Sequence, residues 1–186
     1  AAIDLFIAQG YDATSISDLA ASLGVTKSAV YHHFPSKESL LTAMRAQAFR
    51  WIEREMLIAI RPEDPPLQRL RTLADAFIRA GIARPRRYAL MFFQLPEPES
   101  GPRSLELAAA KRDSLDVCTR TVAAAQAAGS LNLAVDPLTA SHLLWVGAHG
   151  LVSLEVAGQF VMGRSVDLLV PQLVRTLMQG LEEQVP

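Results

Sequence analysis

Residues 26–35 contain a short run of hydrogen-bonding side chains with small and apolar residues between them. If residues 26–35 form a helix, its spacing turns four residues outwards: Lys27, Ser28, Tyr31 and His32. The same spacing turns three residues inwards: Ala29, Val30 and Phe34. Base edges in the major groove offer donors, acceptors and thymine methyl groups, so they accept a helix whose outer face is small or polar. The pattern therefore predicts a DNA-reading helix.

The residues before this helix predict a second helix and a tight turn. Ser15 and Asp18 form a capping box, which favours a helix start. Apolar residues then follow at helical spacing: Ile16, Leu19, Ala20 and Leu23. Gly24 can end this first helix, Thr26 can cap the next, and Pro35 stops it. The segment is therefore predicted to be a helix-turn-helix.

The same segment resembles the DNA-binding head of TetR-family transcriptional regulators. The family's Tyr-x-His-Phe-x-x-Lys motif is present as Tyr31, His33, Phe34 and Lys37, and the resemblance covers about the first 45 residues. It implies an all-helical homodimer that binds a palindromic operator, usually as a repressor, and is released by a small ligand.

The resemblance also implies roles for individual residues in contact with double-stranded DNA. Three residues would meet base edges: Lys27, Ser28 and Ala29. Five would contact or lie near phosphates: Ser17, Thr26, Tyr31, His33 and Lys37. Phe34 would belong to the core.

The charge of the head is unfavourable for DNA binding. Residues 1–46 contain three lysines and arginines against four acidic residues, a net charge of minus one. Phosphate neutralisation supplies much of the affinity for DNA, so we expect a basic arm before Ala1 and two heads in a dimer.

Neither a metal site nor a cofactor is predicted. His32 and His33 are adjacent, so on a helix they point about 100° apart and do not face one metal together. Cys118 is the only cysteine, which excludes a disulfide within the chain and a thiolate-rich metal site.

Length and composition predict a globular protein of the cytoplasm. Half of the 186 residues are hydrophobic, enough for one or two small domains with a core. No apolar run reaches the roughly 18 residues of a membrane span, and no signal peptide is recognisable.

The remaining sequence predicts helices and no strands, so the fold class is all-α. A three-helix head at residues 1–46 would be joined by a linker helix, near 37–60, to a helical effector-binding and dimerisation domain at 47–186. Further helices are predicted near 67–78, after Pro85, and at 103–128, 137–157 and 168–181.

The last two helices are too apolar for ordinary surface elements. Gly147, Gly150 and Ser153 form a face on which another helix can pack closely, which predicts a homodimer through a four-helix bundle. The alternative is that both helices complete the core of a monomer. Residues 145–160 also resemble the Trp-x-x-x-His-Gly C-terminal domain found in some of these regulators.

The middle helices are expected to enclose a small, largely hydrophobic effector. Its candidate lining comprises Phe77, Met91, Phe92, Cys118, Trp145, His149 and Met162. Aromatic residues and methionines at helical spacing are more often ordinary core, so both interpretations stay open.

Two other classes of function are alternatives to a DNA-binding regulator. An enzyme could use His149, Glu155 or Cys118, but the sequence has no phosphate loop, nucleophile elbow or metal-ligand motif. We therefore do not expect an enzyme. A helical module that binds a small molecule but not DNA is the other alternative, and the charge of the head favours it.

Overall fold

The structure, a computed structural model, describes residues 2–92, 101–131, 134–161 and 163–182, apart from the side chains of Ile7 and Glu182. All regular elements in these ranges are helices, which confirms the predicted all-α class. In chain order they are α1 (Ala2–Gln9), α2 (Ile16–Leu23), α3 (Lys27–His33), α4 (Lys37–Ala59), α5 (Pro66–Ala83), α6 (Pro85–Phe92), α7 (Pro102–Ala127), α8 (Pro137–Val156) and α9 (Val166–Glu182).

The chain forms two compact units. The first comprises Ala1–Arg50 and Arg84–Lys111, and the second comprises Trp51–Ala83 and Arg112–Pro186. The first unit thus contains the helix-turn-helix together with α6 and the start of α7, an association that the sequence did not indicate. The functional division at residue 46 stays a prediction.

Local hydrogen bonds fix the ends of α2 as the sequence predicts. The backbone N–H of Asp18 donates to Ser15 Oγ (3.2 Å), and the N–H of Ser15 donates to the Asp18 carboxylate (2.9 Å). At the other end Gly24 has a φ of 67°, a left-handed conformation that favours glycine, and its N–H reaches the carbonyl groups of Ala20 and Ala21. The turn into α3 follows directly.

Burial corrects two of the predicted inward positions. Leu19 and Val30 are buried, whereas Leu23 and Ala29 are exposed. Leu23 is the last residue of α2, so no further helical turn covers it. Ala29 lies about 100° around the helix from Val30, on the side of Ser28. The predictions that Leu23 and Ala29 face the core are therefore wrong.

In the second unit α5, α8 and α9 pack against one another. The buried residues of these three helices include Leu70, Leu73, Ile78, Leu144, Ala148, Val152, Val170, Val174 and Met178. A Cβ atom on Gly147 would lie 2.8 Å from Leu177 Cδ1, so this glycine lets α8 and α9 approach closely within the chain. Among the described residues, no helix is long and apolar enough to cross a membrane.

Candidate nucleic-acid interface

The helix α3 is short and is held at both ends. Thr26 Oγ1 accepts a hydrogen bond from the backbone N–H of Ala29 (3.1 Å), which caps the start of the helix. At the end, the N–H of Phe34 donates to the carbonyl of Val30 (2.9 Å). Val30 is also the residue by which α3 enters the core. Its opposite face is left outside.

The residues assigned to DNA from the sequence lie on α3 and beside it, with Ser17 on α2, Thr26 before α3 and Lys37 at the start of α4. Eight of them are exposed: Ser17, Thr26, Lys27, Ser28, Ala29, Tyr31, His32 and His33. The ninth, Lys37, is half-buried. Lys27 Nζ lies 5.8 Å from the centre of the Tyr31 ring, one turn further along α3, so these two side chains form one polar-aromatic surface.

The adjacent histidines lie edge to face rather than around a common point. The centres of the His32 and His33 rings are 5.1 Å apart, with an angle of 77° between their planes. In the described part of the chain, no group of three or more histidine, cysteine, aspartate or glutamate side chains is arranged to hold a metal ion.

Lys37 makes contacts that the sequence did not predict. Its ammonium group donates to the backbone carbonyl of Tyr11 (2.6 Å) and lies 4.2 Å from the centre of the Tyr11 ring. A second carbonyl, that of Asp12, is 3.4 Å away. The lysine at the start of α4 therefore contacts the turn between α1 and α2.

A chain of charged and aromatic contacts reaches the end of α3 from α4 and α7, within the first unit. The Glu106 carboxylate accepts from Arg50 (2.8 Å) and from Arg103 (3.0 Å). The Arg103 guanidinium in turn lies 5.5 Å from the centre of the Phe34 ring. Sequence reasoning missed these residues because Arg50 and Glu106 are 56 positions apart and share no motif.

The charge of the first unit differs from that of residues 1–46 alone. The unit contains nine lysines and arginines against seven acidic residues, because it also includes Arg50, the three arginines of residues 84–87 and the start of α7. Arg84, Arg86 and Arg87 are exposed, and Arg86 pairs with Asp4 of α1. The compact unit that carries α3 is therefore net positive by two charges, which favours an anionic partner.

Of the candidate effector residues, Trp145 and His149 lie together on α8. Their ring centres are 5.7 Å apart, and His149 Nε2 is 3.3 Å from Ser153 Oγ. Partial burial lowers the pKa of His149, which favours the neutral imidazole at neutral pH. This group can exchange hydrogen bonds with a polar atom of a ligand without carrying a charge.

The other candidate lining residues divide between the two units. Met91 and Phe92 belong to the first unit, where Phe92 packs on Phe49 (5.7 Å between ring centres) and on Tyr88 (4.7 Å). Phe77 is buried in the second unit. Met162 lies outside the described residues.

Cys118 has the environment of an unreactive thiol. Burial raises its pKa to about 11, against a smaller opposite effect of a hydrogen bond with Ser141. Since the thiolate is the nucleophile, the neutral thiol is poorly suited to covalent catalysis at neutral pH.

A capped helix that follows a tight turn and presents polar side chains is the arrangement of helix-turn-helix DNA-binding proteins. Two family models match the chain: the tetR family of bacterial regulatory proteins over residues 1–44, and the tetracyclin repressor-like C-terminal domain over residues 70–177. The chain belongs to the TetR family of transcriptional regulators.

Individual relatives agree with this family. A TetR/AcrR-family transcriptional regulator from Thermobifida fusca is 31% identical, with a TM-score of 0.67 over 96% of this chain and 93% of that one. The structure of AibR in complex with isovaleryl coenzyme A and operator DNA has the same fold, with 21% identity and a TM-score of 0.71 over 97% of this chain and 94% of that one. IcaR from Staphylococcus aureus (strain Newman), a negative transcriptional regulator of a biofilm operon, is 46% identical over 39 residues, a match that spans 21% of each chain.

The Glu106 contacts make the stability of the protein dependent on pH. Hydrogen bonds from Arg50 and then from Arg103 lower the pKa of Glu106 below its ordinary value of 4.5 and outweigh the opposite effect of burial. The stabilisation is therefore complete above about pH 4.5 and is lost as the pH falls through the lower, folded-state pKa. We expect Glu106→Gln to lower the Tm at pH 7 by about 1–4 °C.

Thermal unfolding of both proteins between pH 7 and pH 3.5 measures this difference. The gap in Tm should narrow as the pH falls, because the wild-type carboxylate becomes protonated. Asp113→Asn removes an exposed carboxylate from the same helix and serves as the control. A gap that is constant over the whole pH range would contradict the assigned role of the carboxylate.

Proposed function

We propose that this protein is a ligand-responsive repressor that binds a palindromic operator as a homodimer. The observation that carries the proposal is the exposed polar face of α3, held by a cap at Thr26 and by the buried Val30. Dimensions of the major groove admit one α-helix, and α3 offers it only small, polar or aromatic side chains. A regulator that acts on chromosomal DNA would work in the cytoplasm.

Base edges would be read by the first turn of α3. The Lys27 ammonium can donate to the O6 and N7 acceptors of guanine, and the Ser28 hydroxyl can donate or accept. The Ala29 methyl group is small enough to lie against a thymine methyl. His32, exposed on the same helix, would extend this surface.

Phosphates on either side would be held by the surrounding polar groups. Their proposed ligands are Ser17, Thr26, Tyr31, His33 and Lys37. The cap at Thr26 leaves this role open, because its oxygen accepts from Ala29 N–H while its own hydroxyl hydrogen can be donated to a phosphate. The net positive charge of the first unit supports the same assignment.

Footprinting on DNA from beside the protein's own gene tests operator binding. We expect a protected palindrome whose affinity falls as salt rises, and a loss of about tenfold or more in Lys27→Ala and Tyr31→Ala. Arg120→Ala removes one positive charge from an exposed site on α7 and should leave the footprint unchanged. Protection that survives both α3 substitutions would show that another surface binds the DNA.

The proposed dimer interface is an apolar surface on α8 and α9 of the second unit. On α8 an outer stripe is formed by Leu143, Val146, Gly150 and Leu154. On α9 partly or fully exposed residues at the matching spacing are Leu169, Leu173, Thr176 and Gly180. The space beside Gly147 is occupied by the Leu177 side chain, whereas a Cβ atom added to Gly150 would have nothing within 4 Å. An exposed apolar stripe of this kind supports a contact with a second copy of the chain.

A charge placed in this stripe should separate the subunits. We expect Val146→Arg to be a monomer at concentrations at which the wild-type protein is a dimer, as measured by sedimentation or light scattering, because the arginine would be buried without a partner. Leu105→Arg makes a similar change at a comparably exposed residue of α7 and should remain dimeric. A dimer that tolerates Val146→Arg but not Leu105→Arg would place the interface elsewhere.

The effector is proposed to bind in the second unit beside Trp145 and His149. An aromatic ring and a neutral imidazole suit a largely apolar molecule with one polar anchor, and Phe77 and Cys118 remain candidates for its lining. Met91 and Phe92 belong to the first unit and are therefore left out of this site. The ligand would favour a state in which the two heads are splayed, with α4, which continues from the first unit into the second, carrying the change.

This mechanism requires reciprocal coupling between ligand and DNA. A ligand that weakens operator binding tenfold must itself bind tenfold more weakly to the operator complex, because both effects measure one coupling free energy. Isovaleryl coenzyme A, the ligand in the AibR complex, is a rational first compound for calorimetric titration with and without operator. Trp145→Ala should weaken the ligand without changing the footprint. Equal ligand affinities in the presence and absence of DNA would contradict the mechanism.

A further inference from the structure

The contacts of Lys37 point to a role other than direct binding of a phosphate. We propose that Lys37 is a positioning residue, which holds the turn between α1 and α2 against the start of α4 and thereby sets the placement of the reading helices. The inference rests on the proposed DNA binding and reassigns one of its residues.

The ammonium group of Lys37 is engaged from two sides. It donates to the Tyr11 carbonyl at 2.6 Å, and its distance of 4.2 Å from the Tyr11 ring centre is that of a close cation–π contact. The Tyr11 ring itself stacks on the buried Phe6, with 5.9 Å between ring centres and 20° between planes. Lys37 is therefore joined to the core of the first unit through two aromatic rings.

The turn that receives Lys37 leads directly into the helix-turn-helix. Gly10 follows the end of α1 with a φ of 82°, and the fully buried Thr14 donates its hydroxyl to the Gly10 carbonyl at 2.7 Å. Ser15, the next residue, is the cap of α2. The Tyr11 carbonyl accepts both from the Thr14 N–H (3.3 Å) and from Lys37, so one oxygen connects the turn with α4.

Lys37 and Tyr11 lie at opposite ends of the helix-turn-helix segment, so their contact can affect both of its helices. Tyr11 precedes α2, Lys37 follows α3, and the bond between them closes a segment of 26 positions that contains the whole helix-turn-helix. A small displacement at such a closure moves both helices together, and recognition of base edges tolerates little displacement. Lys27, in contrast, lies exposed on α3 and can reach DNA without leaving the fold.

Two properties separate positioning from phosphate contact. A lysine that neutralises a phosphate releases a counterion, so its removal lowers the slope of log K against log salt by about one. Removal of a lysine that holds the fold also lowers affinity, but it leaves that slope unchanged. It additionally changes the hydrogen exchange of the protein without DNA. The full chain with a mixed-sequence duplex, and with the operator once mapped, allows both to be measured.

The variants are Lys37→Met, which keeps the aliphatic length but removes the charge, and Lys37→Arg, which keeps the charge but replaces the compact ammonium by a broad, planar group. Lys27→Met removes the same charge from the exposed face of α3 and is the matched control. We expect both Lys37 variants to bind operator about tenfold more weakly, with the salt slope of Lys37→Met unchanged. In the absence of DNA, hydrogen exchange of residues 2–14 should be about threefold to tenfold faster in Lys37→Met than in Lys27→Met.

Three results would overturn the inference. A salt slope reduced by about one in Lys37→Met, with unchanged exchange and near-normal binding by Lys37→Arg, would identify a phosphate ligand. A lower Tm with unchanged operator affinity would identify a purely structural residue. Equal hydrogen exchange of residues 2–14 in all the proteins would rule out the positioning role, whether or not the wild type binds DNA. If the wild type binds no DNA but exchange is faster in Lys37→Met, the positioning role is retained and only the proposed function is rejected. If Lys37→Met does not fold, Lys37→Arg carries the same comparisons of affinity and exchange.

Discussion

The seven residues of α3 are too few to form a stable helix in water, and the proposed interface depends on that constraint. Its geometry must be imposed by neighbours. The Thr26 cap fixes the first turn, Val30 enters the core, and Arg103 lies over Phe34 at the far end. None of these contacts uses the outer face of the helix. The helix is therefore held by contacts on its inner side and at its ends, which leaves Lys27 and its neighbours on the outer face available to the proposed DNA partner.

Much of this arrangement could be predicted because its signals are local. The capping box at Ser15, the left-handed Gly24 and the cap at Thr26 act within three or four residues, and each is found where the sequence indicates. The contact from Lys37 to Tyr11 could not be predicted, because a lysine has the same sequence signature on a free surface as over an aromatic ring. The same holds for Arg103 and Phe34, which no helical period relates. Burial of Leu23 was predicted wrongly because periodicity places a residue on one face of a helix but does not tell how far along that face the packing extends.

The effector site was less accessible to sequence reasoning for a different physical reason. A ligand pocket and a core are both lined by apolar and aromatic side chains, so Phe92, which packs on Phe49 and Tyr88, has the same pattern as a ligand contact. The pair Trp145 and His149 is distinguished by polarity. A partly buried imidazole with a lowered pKa lies beside an indole ring, which places a neutral polar group next to an aromatic one.

Charge connects the proposed interface with the proposed dimer. A first unit with only two net positive charges offers limited attraction to a polyanion, so non-specific binding by one head would be weak. Two heads on one palindrome add their contacts, and the second binds at the high effective concentration set by the first. Affinity then depends on the distance between the heads more than on any single contact. Under that condition, a ligand need not disturb α3 at all, since a change in spacing is sufficient to release the operator. The contacts behind α3 suit such a mechanism, because they tie the proposed reading helix to the rest of the first unit.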